Sequence, residues 1–145
     1  MGYLAGYSLV DGSFNVMIGQ NAGDTITTGD RNVAIGINSL STEDSGSYNV
    51  AVGYFALNAQ NADDTYNVAV GYEAGKSITT GPHNTIVGSK SGDALTTGDS
   101  NTVLGYNALS SEDTGDKNVA IGWEALNALN YDGSAYNVAV GYEAG

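Results

Sequence analysis

Apolar and polar positions along the chain repeat with a period of about 17 residues. A short core, in which Asn is followed by three mostly apolar residues and then Gly, occurs eight times. The cores begin at Asn15, Asn32, Asn49, Asn67, Asn84, Asn101, Asn118 and Asn137, with the two longest steps before Asn67 and Asn137. Because this period is far below domain size, each copy is one small unit that needs its neighbours to bury its apolar residues. The pattern predicts a single repeat array over residues 1–145.

Each core predicts one short β-strand. The distance from Asn to Gly never changes, whereas the distance from that Gly to the next Asn varies between copies. The variable segments are rich in Ser, Thr, Asp, Asn and Gly, which is typical of loops. The cores are too short and too rich in β-branched residues for a helix. A second, weaker strand is predicted around the Ala-Leu or Ala-Gly pair that follows each core.

The alternation inside the core predicts which residues face which way. The second and fourth core residues lie on one face of a strand, and the third lies on the other. The third residue is apolar in every copy, whereas a sheet with one solvated face would carry polar residues there. We therefore expect the second and fourth residues to fill the interior of the coil and the third to pack against another chain. The predicted inter-chain residues are Met17, Ala34, Ala51, Ala69, Ile86, Val103, Ala120 and Ala139. Since an exposed apolar stripe favours association, an oligomer is expected.

A longer repeat of four cores is superimposed on the short one. The run Tyr66–Gly75 recurs letter for letter at Tyr136–Gly145. After the closing Gly, two coils end in Ala-Gly or Ser-Gly and the next two in Ser-Leu or Ala-Leu, and this order then repeats. The sequence therefore contains an internal duplication, 2–70 and 71–140, with a partial final repeat at 141–145. Since the last repeat is incomplete, we expect the chain to be a segment of a longer protein.

The charge excludes several classes of partner. The chain has 4 Lys and Arg residues in total and 16 Asp and Glu residues, which gives a formal net charge of −12. Such a chain is repelled by nucleic acids and by anionic membrane surfaces. No apolar run approaches the ~18 residues of a membrane-spanning helix, so membrane insertion is not expected. Cysteine is absent, which removes disulfides and thiolate metal sites.

Candidate chemistry for catalysis or metal binding is weak. His83 is the sole histidine, and no Gly-x-Ser-x-Gly elbow is present, so a catalytic triad is not supported. The acidic pairs do not have the spacing of calcium-binding loops. These pairs are Glu43-Asp44, Asp63-Asp64 and Glu112-Asp113. We expect no enzyme activity, no cofactor and no metal site in this segment.

Three recurring positions have structural or binding interpretations. The Asn that opens each core predicts a stacked ladder that satisfies backbone groups in the turn. The Gly that closes it predicts a positive φ or a tightly packed turn. An aromatic residue follows this Gly at Tyr3, Tyr54, Tyr72, Tyr106, Trp123 and Tyr142. In stacked coils these rings would form a column, which could pack between coils or chains or could stack on sugar rings.

The cores resemble those of a known group of fibrous proteins. Asn32–Gly36 and Asn118–Gly122 read Asn-Val-Ala-Ile-Gly, and Gly105–Leu109 reads Gly-Tyr-Asn-Ala-Leu. These motifs are similar to the repeats of trimeric autotransporter adhesin heads and of phage tail fibres, and they run from Gly2 to Gly145. The resemblance implies a left-handed parallel β-roll, three chains side by side, and display on a cell surface or virion. The adhesin-head coil is usually shorter, and the additional residues here fall in the polar loop.

Together these patterns predict an all-β repeat solenoid with one coil per about 17–19 residues, assembled as a homotrimer. The expected function is a structural or adhesive segment of an extracellular surface fibre that extends and presents a binding surface. The alternative is a lectin-like module that binds cell-surface glycan through its aromatic columns. Its candidate contacts are Tyr54, Tyr72, Tyr106, Trp123 and Tyr142.

Overall fold

Every repeat core forms one strand in the computed structural model, which describes residues 2–131 and 136–145. The strands of this described part are three residues long and separated by turns. They are β1 (Val16–Ile18), β2 (Val33–Ile35), β3 (Val50–Val52), β4 (Val68–Val70), β5 (Thr85–Val87), β6 (Thr102–Leu104), β7 (Val119–Ile121) and β8 (Val138–Val140).

All eight strands lie in one parallel sheet in their sequence order. Each strand pairs with the next so that equivalent core residues are partners, as Val33 with Val50 and Ala34 with Ala51. One repeat is therefore one coil of a β-solenoid. The two longer steps, from β3 to β4 and from β7 to β8, keep the same register, so their additional residues are absorbed between strands. The predictions of an all-β solenoid and of one strand per core are confirmed.

The second strand predicted after each core is wrong within the described residues. The Ala-Leu and Ala-Gly pairs lie in turns, because the last residue of each pair has a left-handed backbone. Its φ is 56° at Gly23 and 50° at Leu40. Neighbouring coils are still bonded here: the Leu40 amide donates to the Ala56 carbonyl at 3.0 Å. The segment thus forms a ladder of inter-coil hydrogen bonds without strand geometry.

The structure reverses the predicted orientation of the strand faces. The third core residue points into the coil of its own chain: Ala34, Ala51, Ala69, Ile86 and Ala120 are fully buried, as is all but 1% of Val103. Ala139 is also buried, and Met17 packs against the core. The fully buried side chains among them cannot contact a second chain. The second and fourth core residues are the ones that face outward.

Limited space inside the coil explains this orientation. Large side chains from the turns opposite the strands already fill the interior. The largest apolar ones among them are Ile26, Leu40, Leu57, Ile78, Leu95 and Leu109, each fully buried. A small residue such as Ala fits opposite them, whereas two large β-branched residues per coil would not. Close packing therefore places the small position inside.

The alternation of Gly and Leu endings reflects which residue fills the interior of each coil. Leu40 and Leu57 occupy the interior with their own side chains. After Gly23, Gly75 and Gly92, an apolar residue three positions later fills the same space, and these residues, Ile26, Ile78 and Leu95, are fully buried. A Cβ placed on Gly23 would lie 3.1 Å from Ile26 Cδ1, and one placed on Gly75 would lie 3.1 Å from Ile78 Cδ1. The backbone conformation is the same in both cases, so core volume determines the choice between them.

Three of the four coils that end in Leu place a polar residue where the Gly-ending coils place Ile or Leu, namely Glu43, Gln60 and Glu112; the fourth has Leu129 there. Glu43 is fully buried, and its Oε1 accepts hydrogen bonds from the backbone amides of Asp44 at 3.0 Å and Gly46 at 2.7 Å. Its Oε2 accepts a bond from Gln60 Nε2 at 3.1 Å. Glu112, the duplicate of Glu43, binds the Gly115 amide in the same way at 2.7 Å. The first residue of these acidic pairs is thus a buried turn cap.

The Asn ladder has the predicted role. Asn67 is fully buried, its Oδ1 accepts the backbone amide of Asn84 at 2.8 Å, and its Nδ2 donates to the Gly81 carbonyl at 2.7 Å. The same amide-to-Oδ1 bond joins Asn49 to Asn32 and Asn118 to Asn101. Five of these residues join their strand both to the next coil and to the turn before that coil: Asn15, Asn32, Asn67, Asn84 and Asn101. Asn49 differs, because its Nδ2 donates to the Ser47 carbonyl of its own coil.

Candidate interaction face

One side of the solenoid is a continuous, largely apolar surface formed by the outward core residues. We call the second and fourth residues of β1–β8 the strand face. Its residues are half-buried or exposed, and Ile18 and Leu104 leave 48% and 47% of their surfaces exposed. Fourteen of its sixteen residues are Val, Ile or Leu, and the other two are Thr85 and Thr102. An apolar surface of this extent is typical of interaction sites.

The column predicted after the closing Gly lies along one edge of the strand face. We call it the post-Gly column. Tyr54 and Tyr72 stack with ring centroids 5.2 Å apart and planes 8° apart. Tyr106 and Trp123 stack at 4.2 Å. All six aromatic residues predicted for this column, Tyr3, Tyr54, Tyr72, Tyr106, Trp123 and Tyr142, are exposed. The structure therefore brings neighbouring members of the column into contact.

A second column lies along the other edge of the strand face and was not predicted. It contains the residue immediately before each Asn, and we call it the pre-Asn column. Its members are Phe14, Arg31, Tyr48, Tyr66, His83, Ser100, Lys117 and Tyr136. The rings of Tyr48 and Tyr66 stack at 5.0 Å, and His83 stacks on Tyr66 at 5.6 Å. The signal that could have located this column is the aromatic or cationic residue that precedes Asn in seven of the eight copies.

Two cations are held within the pre-Asn column. The Arg31 guanidinium carbon lies 5.3 Å from the Phe14 ring centroid and 5.4 Å from that of Tyr48, so the side chain is sandwiched between two rings. Lys117 Nζ lies 3.2 Å from Asp99 Oδ1. This hydrogen bond raises the pKa of Lys117 above its ordinary value.

The strand face and the two columns together form a surface of interface size. Six steps along the chain separate the columns, which is about 20 Å at the strand rise, and seven inter-strand steps span about 34 Å. The area is roughly 700 Å², close to the about 800 Å² that each partner contributes to a standard protein interface. No Asp or Glu occurs at any position of this surface, although the chain has 16 of them.

Two kinds of feature were not found in the part of the chain that the structure describes. There, no three His, Cys, Asp or Glu side chains are grouped so that they could hold a metal ion. No described helix could span a membrane. Comparison of the chain with family models, with curated proteins and with solved structures gave no match.

Two aspartate carboxyls that the internal duplication repeats lie away from the strand face and the two columns, and both are partly desolvated. Asp24 and Asp93 occupy equivalent positions in the two halves, and each has a buried Oδ1 without a hydrogen-bond partner. Burial raises the pKa of both carboxyls above the ordinary value of 3.8. A raised acid pKa means that the folded state binds the proton more tightly than the unfolded state. Ionisation therefore lowers stability as pH rises from the unfolded pKa through the folded one.

The variant Asp93→Asn is expected to melt at a higher temperature than the parent chain near pH 7, because the amide removes the desolvated charge. Below about pH 3 the carboxyl is neutral in both states, so this advantage should disappear. Thermal melts of both proteins at equal concentration and both pH values measure the difference. An equal increase in melting temperature at the two pH values would show that the charge of Asp93 does not cause the stabilisation.

Proposed function

We propose that this chain is a rigid, self-associating segment of an extracellular surface fibre, displayed on a cell or virion, in which three copies lie side by side. Its role is to extend the fibre and to present other surfaces to a target. The observation that carries the proposal is the strand face, an apolar surface without carboxylates on a strongly acidic chain. The similarity of the cores to those of adhesin heads and tail fibres supports three copies and surface display.

A second copy of the chain suits the strand face in both shape and charge. The apolar residues of the face form a continuous stripe, because equivalent residues pair in register along the whole sheet. Such stripes from neighbouring copies can exclude water over their whole length, which stabilises association. Acidic residues lie outside the face, so like charges are not brought together at its centre. The same acidic residues, through the net charge of −12, favour solubility of the assembled particle.

Rigidity follows from the bonds that join every coil to the next. Strands, turns and the Asn ladder each contribute inter-coil hydrogen bonds, such as Val50 N to Asn67 O at 2.8 Å, Leu57 N to Ala74 O at 3.1 Å and Asn67 N to Asn49 Oδ1 at 2.9 Å. Seven inter-strand steps extend the array by about 34 Å. A chain of this kind keeps its two ends at a fixed distance, as a spacer must.

The variant Ile35→Lys tests the face. Ile35 is half-buried at the fourth core position of β2, so a lysine there keeps the coil intact in the monomer. In an assembly its ammonium group would be desolvated against apolar residues, at a cost of about several kcal/mol. Light scattering should show a multimer for the parent chain and a monomer for the variant.

A matched control is Thr28→Lys, which places the same charge at an exposed loop position. Both substitutions reduce the net charge from −12 to −11, so general repulsion between copies decreases equally. The Thr28→Lys protein should keep the mass of the parent multimer. A parent chain that is monomeric at micromolar concentration would refute self-association, and dissociation of both variants would refute the assignment of the face.

The continuous parts of the columns favour packing over glycan binding. Tyr54 and Tyr72 are nearly parallel, so each covers one face of the other ring. Sugars stack on ring faces, and a covered face is not available for this contact. The lectin-like alternative therefore has support only where a column is interrupted.

A further inference from the structure

The post-Gly column has one interruption with an aromatic ring on both sides. Ser89 occupies the column position between Tyr72 and Tyr106. Tyr72 packs one face against Tyr54 and Tyr106 packs one face against Trp123, which leaves the other face of each ring on the side of Ser89 in the column order. We call the space above Ser89 the Ser89 notch.

The width of the notch matches the thickness of one inserted ring. Tyr72 and Tyr106 are two coils apart, which places them about 10 Å from each other at the strand spacing of a sheet. A ring halfway between them would lie about 5 Å from each, within the usual range for stacked rings. Tyr54 and Tyr72 themselves stack at 5.2 Å. One planar or chair-shaped ring therefore fits, and two do not.

The residues that follow the notch positions in the sequence are polar. Each column residue here is followed by a hydrogen-bonding residue: Glu73 after Tyr72, Lys90 after Ser89 and Asn107 after Tyr106. All three have a left-handed backbone with φ of 55° to 56°. The backbone is fixed by bonds between coils, from Lys90 N to Tyr72 O at 2.8 Å and from Asn107 N to Ser89 O at 3.1 Å.

The Tyr72 side chain also has a fixed partner. A hydrogen bond with Glu73 raises the pKa of the Tyr72 hydroxyl above its ordinary value. The Glu73 carboxylate in turn lies 3.6 Å from Lys76 Nζ. One wall of the notch is thus joined to a carboxylate and an ammonium group, which is a preorganised polar edge.

We propose that the Ser89 notch binds a single pyranose ring of a neutral glycan. The C–H faces of the sugar pack between the two tyrosine rings, and its hydroxyls pair with Ser89, Lys90, Asn107 and the Glu73 carboxylate. An aromatic side chain from another copy would have the same thickness but would offer no hydroxyls to Ser89, Lys90 and Asn107. Polar groups placed to meet hydroxyls therefore favour the sugar.

The notch occurs once per chain and does not follow the internal duplication. The position equivalent to Ser89 in the first half is Gln20, which is followed in the column by Ile37. These longer side chains occupy the gap between Tyr3 and Tyr54. The site also lies within one chain, so the proposal does not rest on self-association.

The test is binding to a printed array of neutral oligosaccharides, followed by calorimetric titration with the oligosaccharide that gives the strongest signal. The parent chain should bind. Ser89→Tyr continues the column as other coils do and fills the notch, so binding should fall at least tenfold. Tyr106→Ala removes one wall and should weaken binding by about tenfold.

Tyr142→Ala is the matched control, because it removes a ring of the same column outside the notch and should leave binding unchanged. The Ile35→Lys protein, which is expected to be monomeric, should bind the oligosaccharide with the affinity of the parent chain. Weaker binding by this variant would show that the site needs more than one chain. Absence of any array signal, or full binding by the folded Ser89→Tyr protein, would overturn the proposal. A third result would also overturn the glycan proposal: the parent chain binds no glycan, and the Ser89→Tyr protein has a lower multimer mass than the parent chain. That result would show that a ring of another copy occupies the notch.

Discussion

Ala69→Asp is expected to prevent folding of the central coils. Ala69 is fully buried between Ala51 and Ile86 of the neighbouring strands. The buried polar side chains of the described residues include no Lys or Arg that could neutralise a carboxylate. Burying an unpaired charge costs about several kcal/mol, and Asp is also larger than the space that Ala fills. This cost is a large share of the stability of a domain of this size. Circular dichroism should show a loss of structure at temperatures where the parent chain is folded.

The matched control is Val68→Asp, one residue earlier in β4. Val68 is half-buried on the strand face, so an aspartate there can keep its charge in water while the coil stays intact. This variant should fold and should associate less than the parent chain. If Val68→Asp unfolded and Ala69→Asp did not, the third core residue would be the outward one after all.

The sequence was sufficient to predict the architecture because both signals that determine it are local. A constant core with period-2 alternation predicts a strand, and a short, nearly constant period predicts that strands stack one per coil. The roles of Asn and Gly followed from their own backbone chemistry. These predictions needed no knowledge of which side of the strand was inside.

The direction of the strand face could not be obtained from apolar character alone, because both faces are apolar. Size carried the information: Ala at five of the eight third positions fits a narrow interior, and Thr85 and Thr102 at second positions tolerate solvent. The large residues that fill the interior come from turns, where Leu40 has a φ of 50° and Leu57 a φ of 47°. Bulky residues rarely adopt this conformation, so periodicity did not identify the turns as the source of the core.

The pre-Asn column was missed for the same reason. Tyr48, Tyr66 and His83 have φ values of 64°, 54° and 59°, a backbone that is typical of loops and not of strand ends. In the sequence these residues lie in the segment whose length varies between copies, so the pattern predicts a loop there and no fixed face for their side chains. The inter-coil bonds hold them in register with the strand face, as from Tyr48 N to Asp30 O at 3.0 Å.

Gly71→Ala is expected to destabilise the solenoid by more than about 3 kcal/mol. Gly71 has a φ of 144°, which L-residues rarely adopt. A Cβ there would overlap the carbonyl oxygen of Gly88 and would lie 2.6 Å from its carbonyl carbon. Because both groups are backbone, the next coil would have to move, and that movement would disturb the bonds of the Asn ladder and β4. Chemical denaturation at fixed protein concentration measures the loss.

The variant Gly141→Ala separates backbone strain from the clash with the next coil. Gly141 has nearly the same backbone, with a φ of 138°, but a Cβ there would only contact the Ala144 Cβ at 3.8 Å. Its substitution should cost the backbone strain alone, about 1–3 kcal/mol. The difference between the two variants then measures how closely the coils approach at the Gly column. If Gly71→Ala cost no more than Gly141→Ala, backbone conformation alone would account for the closing Gly, and close stacking would not require it.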